Sequence, residues 1–411
     1  MKYSFLLLFF FSIIHCLVLN KQNDDYIIAV YKISRYRTIK IINSFEEFYI
    51  NDQNNDKSLS PFKDSYKNAK QIENCQMYVD GKKTDFSYIY TFPSDGLHTI
   101  KFEFNQYFES TFYMFRDIEV YKVDLSHFNM KNVIYMNYMF DCCLFLESIN
   151  LNNVNTENVV EMEGTFRCTS LESIDLASFN TPKLITVSSL FQYSHRLKEI
   201  KNINLNTTNV VDFQSMFDDC NSLESLDLSK LDTKNAVTMR DMFRGCIALT
   251  SLDLTNFDTS SVSKMDGMFY HCTSLKSLDL SSFNTENVNN MDIMFTGCES
   301  LVRLDINFNT INVGKMGGMF AFCKSLTSLN LRNWRTEKVK EMDEMFTNCE
   351  SLTSLDLSSF STVNVYTMSY MFNNCKSLSR LDLTSFDFSK VIFKNKIFES
   401  CPAEIVLNDK K

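Results

Sequence analysis

Glycine and proline are scarce in this chain of 411 residues, at 9 and 4. Turns of special geometry therefore cannot rest mainly on them, and Asn, Asp, Ser and Thr must make most of the bends. An excess of positive charge is also missing. The formal net charge of −9 argues against nucleic acid, whose phosphates reward clustered Lys and Arg. It suits a soluble extracellular protein, or one that meets a cationic partner. Signatures of chemistry are missing as well: there is no Gly-x-Ser-x-Gly elbow, His-Glu-x-x-His pair or phosphate-cradling glycine loop. His15, His98, His127, His195 and His271 are scattered, and no close Cys-x-x-Cys pairs mark a zinc site. No metal or cofactor is expected, and an enzyme within residues 22–104 is the one catalytic reading left open.

Long apolar runs are confined to the start. Lys2 precedes an apolar stretch from Phe5 to Leu19, broken only by Ser12 and His15. This is shorter than the roughly 18 apolar residues of a spanning helix and reads as a secretory signal over residues 1–19, with a signal-anchor as the alternative. Cys16 would suit lipidation only if a small residue preceded it, and His15 does not fit. No hydrophobic tail for a lipid anchor closes the sequence.

What the chain has in abundance is Phe (37) and Met (20), and these repeat. Units begin at Val123, Ile149, Ile174, Ile200, Leu226, Leu252, Leu278, Leu304, Leu329, Leu355 and Leu381, with a period of 26 residues shortened twice to 25. Within a unit, Leu252 and Leu254 alternate with Ser251, Asp253 and Thr255, the pattern of a short strand. Val262, Met265, Phe269, Cys272 and Leu275 then recur at three- and four-residue steps, the spacing of one helix face. Neither element can bury its apolar face alone, and stacking of successive coils solves this. The expected fold is an α/β repeat solenoid of eleven strand-plus-helix coils over 123–401. A degenerate half-repeat at 105–122 and a small β-rich domain at 20–104 precede it, and a tail of 402–411 follows. In the N-terminal domain, Tyr26–Ile33, Thr38–Ile42, Met77–Val79, Phe86–Phe92 and Leu97–Phe104 read as strands, and Asn51 to Asn74 as a loop.

Three residue rows accompany the repeat. One Cys per coil, at Cys143, Cys168, Cys220, Cys246, Cys272, Cys298, Cys323, Cys349, Cys375 and Cys401, reads as a ladder of buried thiols. Disulfides between some adjacent coils are the alternative. An acidic row places Asp227, Asp253, Asp279, Asp305, Asp356 and Asp382 in one file facing solvent. That file is the candidate binding face for a cationic partner or for calcium, unless Ser and Thr two positions away simply hydrogen-bond each carboxylate. Thr156, Thr181, Thr207, Thr233, Thr259, Thr285, Thr310, Thr336 and Thr362 stand where a hydroxyl can cap the helical half. Asn206-Thr207-Thr208 is a glycosylation acceptor.

The recurring M-x-x-M-F-x-x-C-x-S-L-x-S-L-D-L-S-x-F, as at Met265 to Phe283, resembles the BspA-like leucine-rich-repeat surface proteins, over about residues 105 to 401. An aromatic, Phe283, stands where wider leucine-rich repeats carry Asn or Cys, so their asparagine ladder is not expected. The resemblance implies surface display, adhesion to host or neighbouring cells or matrix, and no catalysis. Expected partners are extracellular or cell-surface proteins, with self-association into a passive coat as the alternative. Neither nucleic acid nor a membrane span after signal removal is expected.

Overall fold

The computed structural model describes residues 25–35, 37–51 and 64–408. The secretory-signal reading and Cys16 lie outside these residues. The N-terminal region forms β1 (Tyr26–Ile33), β2 (Thr38–Lys40), α1 (Phe45–Asn51), α2 (Ala69–Glu73), β3 (Gln76–Val79), β4 (Lys82–Thr84), β5 (Ile89–Thr91) and β6 (Gly96–Glu103). Alternation buries Ile27, Ala29, Tyr31 and Ile33 of β1, as expected of a strand with one face on a core. Strand β1 pairs antiparallel with β6 on one side and with β7 (Val120–Asp124) on the other. Strand β7 in turn pairs in parallel with β8 (Ser148–Asn150). One sheet, ordered β4-β3-β6-β1-β7-β8, thus runs from the N-terminal region into the first coils and covers the edge that an open solenoid would expose. The segment read as a loop contains α2, whose Ile72 side chain is fully buried.

From Ser110 onward the chain winds as a solenoid. An unbroken file of eleven parallel bridges runs from Ser110↔Tyr135 to Thr367↔Phe393, linking each coil to the next at one position. The helical half expected from the three-and-four spacing is not a helix. Among the described residues the helices are α1 and α2, both outside the repeats. The block Met265 to Cys272 is instead a ribbon of tight turns. Met268, Tyr270 and Cys272 donate their N–H groups three residues back, to Met265, Gly267 and Phe269. The alternate donors Gly267, Phe269 and His271 reach across to the carbonyls of Asp292, Met294 and Thr296 in the next coil, at 3.0, 2.9 and 2.7 Å.

A left-handed residue at every fourth position makes this possible: φ is +63° at Gly267 and +58° at His271, a conformation that ends an α-helix rather than continues it. Consecutive turns of this kind bring Met265, Met268, Phe269 and Cys272 to the interior, which is why their spacing mimics a helix face. The helical assignment is therefore corrected: the coils are all turn and strand.

Strands on the leucine side are intermittent. They appear as β7–β8, β9 (Ser173–Asp175) with β10 (Glu199–Lys201), β11 (Ser277–Leu280) with β12 (Arg303–Ile306), and β13 (Arg380–Asp382) with β14 (Glu404–Val406). No strand forms at Leu226, Leu252, Leu329 or Leu355. Cross-coil bonds here are long, 3.4 Å from Glu224 N–H to the Lys198 carbonyl and 3.3 Å from Lys276 N–H to that of Thr250. The turn ribbon, not the strand side, carries the continuous pairing. Beyond Pro402, β14 adds a last strand to the stack.

A file of stacked phenylalanines fills the interior. Phe243, Phe269 and Phe295 are fully buried, with ring centroids 5.7 and 5.6 Å apart and planes within 10°. The stack continues through neighbouring coils from Phe115 to Phe398. A second aromatic row joins Phe308, Trp334, Phe360 and Phe386 at 6.2 to 6.5 Å.

Candidate binding surfaces

Each row singled out in the sequence has a definite place. The acidic row lies on the strand side, where Asp227, Asp253, Asp279 and Asp382 are exposed and Asp305 and Asp356 half-buried. Asp227, Asp253, Asp279, Asp356 and Asp382 each accept the backbone N–H two residues on, as in Ser229 N to Asp227 Oδ1 at 3.0 Å. This Asx-type turn ends the leucine segment and bends the chain away without glycine. Hydrogen bonds from Ser229, Thr255, Ser281, Ser358 and Thr384 hold these carboxyls below their usual range. Asp305 instead pairs with Arg303 at 2.7 Å. The other five carboxylates thus shape the turns of their coils, and Asp356 Oδ2 also accepts from Arg332 Nε at 3.0 Å. Beside it, a cleft of about 610 Å³ opens between β12 and the unpaired segment at Leu329.

The cysteines at Cys220, Cys246, Cys272, Cys298, Cys323, Cys349 and Cys375 are buried, and each thiol donates to the phenylalanine carbonyl of the preceding coil at 3.1 to 3.2 Å. Burial raises every one of these thiols, Cys272 and Cys375 to about 12. Ser194 takes the same slot and makes the same bond, to the Phe166 carbonyl at 2.9 Å. Cys168 does not belong to the file. It sits half-buried one position earlier, and buried Thr169 fills the slot. Cys401, at the end of the stack, is also half-buried.

The threonines do not cap helices. Thr233 Oγ1 donates to the Asp258 carbonyl at 3.0 Å and accepts the Asp258 N–H at 2.9 Å, and its counterparts repeat the bridge. One buried hydroxyl thus pins each coil to the next. Sequence reasoning missed a further row two residues on, where Asn158, Asn209, Asn235, Asn287, Asn312 and Asn364 donate side-chain amides to carbonyls of the preceding coil. The recurring Thr-x-Asn spacing was its signal. Asn206 is exposed, with its Oδ1 accepting the Thr208 N–H at 3.1 Å.

A cluster of aromatic and charged side chains lies on the turn ribbon, at the N-terminal end of the stack. A groove of about 660 Å³ is lined by Tyr66, Tyr113, Arg116, Tyr138, Arg167 and Ile185, among others. At its base Asp141 is fully buried. Arg167 Nη1 donates to its Oδ1 at 3.0 Å, and Arg116 Nε lies 3.1 Å from Oδ2. Burial pushes the Asp141 carboxyl above its usual range while the two guanidiniums pull it back. The Arg116 guanidinium also lies over the Phe48 and Tyr113 rings, at 4.2 and 4.3 Å. Gly164 is required here: with φ at +55°, a Cβ on it would meet the Tyr138 ring at 2.4 Å. The hydroxyl of that ring donates to Glu163. Ile185, Val211 and Val237 extend the groove as a row of exposed apolar side chains on successive coils.

The same slot continues the polar file. Arg167 Nε donates to Gln192 Oε1 at 3.2 Å, Gln192 Nε2 to Asp218 Oδ2 at 2.7 Å, and Arg244 Nε lies 3.9 Å from Asp218 Oδ1. Burial, reinforced by Asp219 and Asp241, raises Asp218 to about 6. The folded chain then holds a proton that the unfolded chain has released, so Asp218 costs stability as pH rises from about 4 to about 6. Asp218→Asn is expected to leave stability unchanged at pH 3 and raise it by about 3 kcal/mol above pH 7, measured by urea unfolding across that range. A difference constant with pH would contradict this.

Among the described residues there is no group of three or more His, Cys, Asp or Glu able to hold a metal, and no helix long and apolar enough to cross a membrane. The stacked coils define a β-solenoid repeat protein. The family described as "Mycoplasma protein of unknown function, DUF285" matches residues 109–225, 194–307 and 302–406, and the chain belongs to that family. The resemblance to BspA-like leucine-rich-repeat proteins, read from Met265 to Phe283, stands with it. A crystal structure of a leucine-rich repeat protein from Eubacterium ventriosum is similar over 70% of this chain and 73% of its own, at 16% identity and a TM-score of 0.36. The TLR13 chain of a TLR13-ssRNA13 complex is similar over 65% of this chain and 47% of its own, at 16% identity and a TM-score of 0.22. Among curated proteins none matches.

Proposed function

We propose that this chain is a secreted or surface-held, non-catalytic repeat protein that binds other extracellular proteins, and that the Tyr- and Arg-lined groove on the turn ribbon is its recognition site. The observation that carries this reading is a groove lined by Tyr66, Tyr113, Tyr138, Arg116 and Arg167, the two arginines paired with buried Asp141, with Ile185 and Val211 exposed on its wall. Tyrosine and arginine dominate the energetics of protein interfaces because they combine large, rigid contact area with hydrogen-bonding tips. The rows on the strand and threonine sides are occupied in building turns and coil contacts, which leaves this groove as the richer surface. Export rests on Lys2 and the apolar stretch from Phe5 to Leu19, and adhesion to cells or matrix is the use that fits an exported binder.

The test is binding of the purified protein to immobilised matrix glycoproteins and to intact cells. A double variant, Ile185→Asp with Val211→Asp, should weaken binding at least tenfold, which is about 1.4 kcal/mol. The triple variant Asp227→Asn, Asp253→Asn, Asp279→Asn should leave it unchanged. The reverse pattern would move recognition to the acidic strand face. Ordered self-assembly without saturable binding would favour a passive coat.

A further inference from the structure

The turn ribbon has two left-handed positions per coil, and the second of them holds Cys142 and Cys168 on consecutive coils, with φ of +57° and +56°. Side chains at this position lean on their counterparts in the next coil. Asn374 Nδ2 donates to Asn348 Oδ1 there, and a Cβ added at Gly297 would meet the His271 ring at 2.9 Å. Cys142 and Cys168 are the counterparts of these residues on the first two full coils. The Cys142 N–H donates to the carbonyl of Arg167, the residue before Cys168, at 3.0 Å, which holds the two backbones side by side. Hydrogen-bonded neighbours about 4.8 Å apart fall within the Cα separation of about 4.4–6.8 Å that a disulfide spans.

Both thiols are half-buried, whereas Cys143, one residue on, is sealed in the core with its thiol donating to the Phe115 carbonyl at 2.9 Å. Among the described residues, no other pair of consecutive coils carries cysteine at this position. The neighbouring Cys142, helped by Arg167 and His195, draws the Cys168 thiol below its ordinary range. Cys168, burial and Asp141 push the Cys142 thiol up, and it donates to Asp141 Oδ1 at 3.5 Å. Cys168 directly follows Arg167, whose positive charge favours a thiolate, so it is the nucleophile and Cys142, on the preceding coil, the resolving thiol.

We propose that Cys142 and Cys168 form a reversible disulfide that staples the first two full coils together by exchange with low-molecular-weight disulfides. The Cys168 thiolate attacks one sulfur of oxidised glutathione, whose S–S bond breaks, and one glutathione leaves as its thiolate. Cys142 gives its proton to that thiolate, attacks the Cys168 sulfur and expels the second glutathione, which takes a proton from water. Two protein thiols are oxidised and one glutathione disulfide is reduced to two thiols. The staple is independent of any partner bound in the groove.

The purified full chain, equilibrated in mixtures of reduced and oxidised glutathione, acid-quenched, denatured and alkylated, reads this directly by mass. Two alkylatable thiols should disappear together as the buffer becomes oxidising, a Cys142–Cys168 linked peptide should appear, and dithiothreitol should restore both. Cys142→Ser should convert the crosslink into a single glutathione adduct on Cys168, and Cys168→Ser should leave Cys142 at least tenfold slower to react. Serine is tolerated at this position, as Ser400 shows with φ of +57°, and near-UV circular dichroism checks that both variants fold. Two thiols that stay alkylatable throughout, a crosslink that maps elsewhere, or a glutathione adduct on Cys168 that never resolves in the unsubstituted protein would each overturn the proposal.

Discussion

Phe269→Ala should lower stability by about 3–5 kcal/mol, the cost of emptying a fully buried aromatic site. The ring is 0% exposed and is stacked against Phe243 on one side and Phe295 on the other, so truncation removes two ring contacts as well as the burial itself. Its place in the array enlarges the consequence. In a solenoid each coil is supported by its neighbours alone, and a gap in mid-stack uncouples the coils on either side. The denaturation curve should therefore broaden or split in addition to shifting. Phe269→Leu, which refills most of the volume, should recover much of the loss, and Phe398→Ala should cost less because that ring is only partly buried at the end of the stack. A melting temperature unaffected by Phe269→Ala would mean that the ring does not sit in the core.

Asp141→Ala should cost about 2–3 kcal/mol. Removing one partner of a buried ion pair typically costs about 3–5 kcal/mol, because the other charge is stranded. Here the Arg116 and Arg167 side chains keep 23% and 29% exposure, so water takes up part of the stranded charge and the lower figure applies. The check is a double-mutant cycle with Arg167→Ala, read by urea unfolding. A coupling energy above about 1 kcal/mol supports the shared carboxylate, and additivity within about 0.5 kcal/mol would remove it. The same variant should weaken partner binding, since Arg116 and Arg167 line the groove that Asp141 anchors.

Much of this architecture was legible beforehand, and the parts that were not share a cause. The period, the coil boundaries and the buried identity of Val262, Met265, Phe269, Cys272 and Leu275 follow from residue spacing. The conformation of that block does not, because a ribbon of turns with a left-handed residue every fourth position buries the same residues as a helix face would. A signal was present: Gly245, Gly267, Gly297 and Gly318 fall at those positions, yet Cys142, His271 and Asn348 occupy them in other coils and blur it. Cys168 departs from the cysteine file for a related reason, since one position in the coil separates the buried slot of Thr169 from an outward one.

The groove was illegible for a different reason. Arg116, Asp141, Arg167, Gln192 and Asp218 are about one repeat apart in sequence, and each alone looks like a variable residue. Only the stacking of coils turns them into a file.

The sequence alone determined that the chain repeats, that a row of Phe, Met and Cys forms its core, and that Asp, Asn, Ser and Thr make its turns. These follow from composition and period, which act within one coil. The tertiary structure alone decided that the coils are turn ribbons rather than helices, that the threonines bridge coils rather than cap them, and that the charged groove and the Cys142–Cys168 pair exist. Each of these depends on which backbone N–H meets which carbonyl in the next coil, a choice made between coils and not written in any one of them.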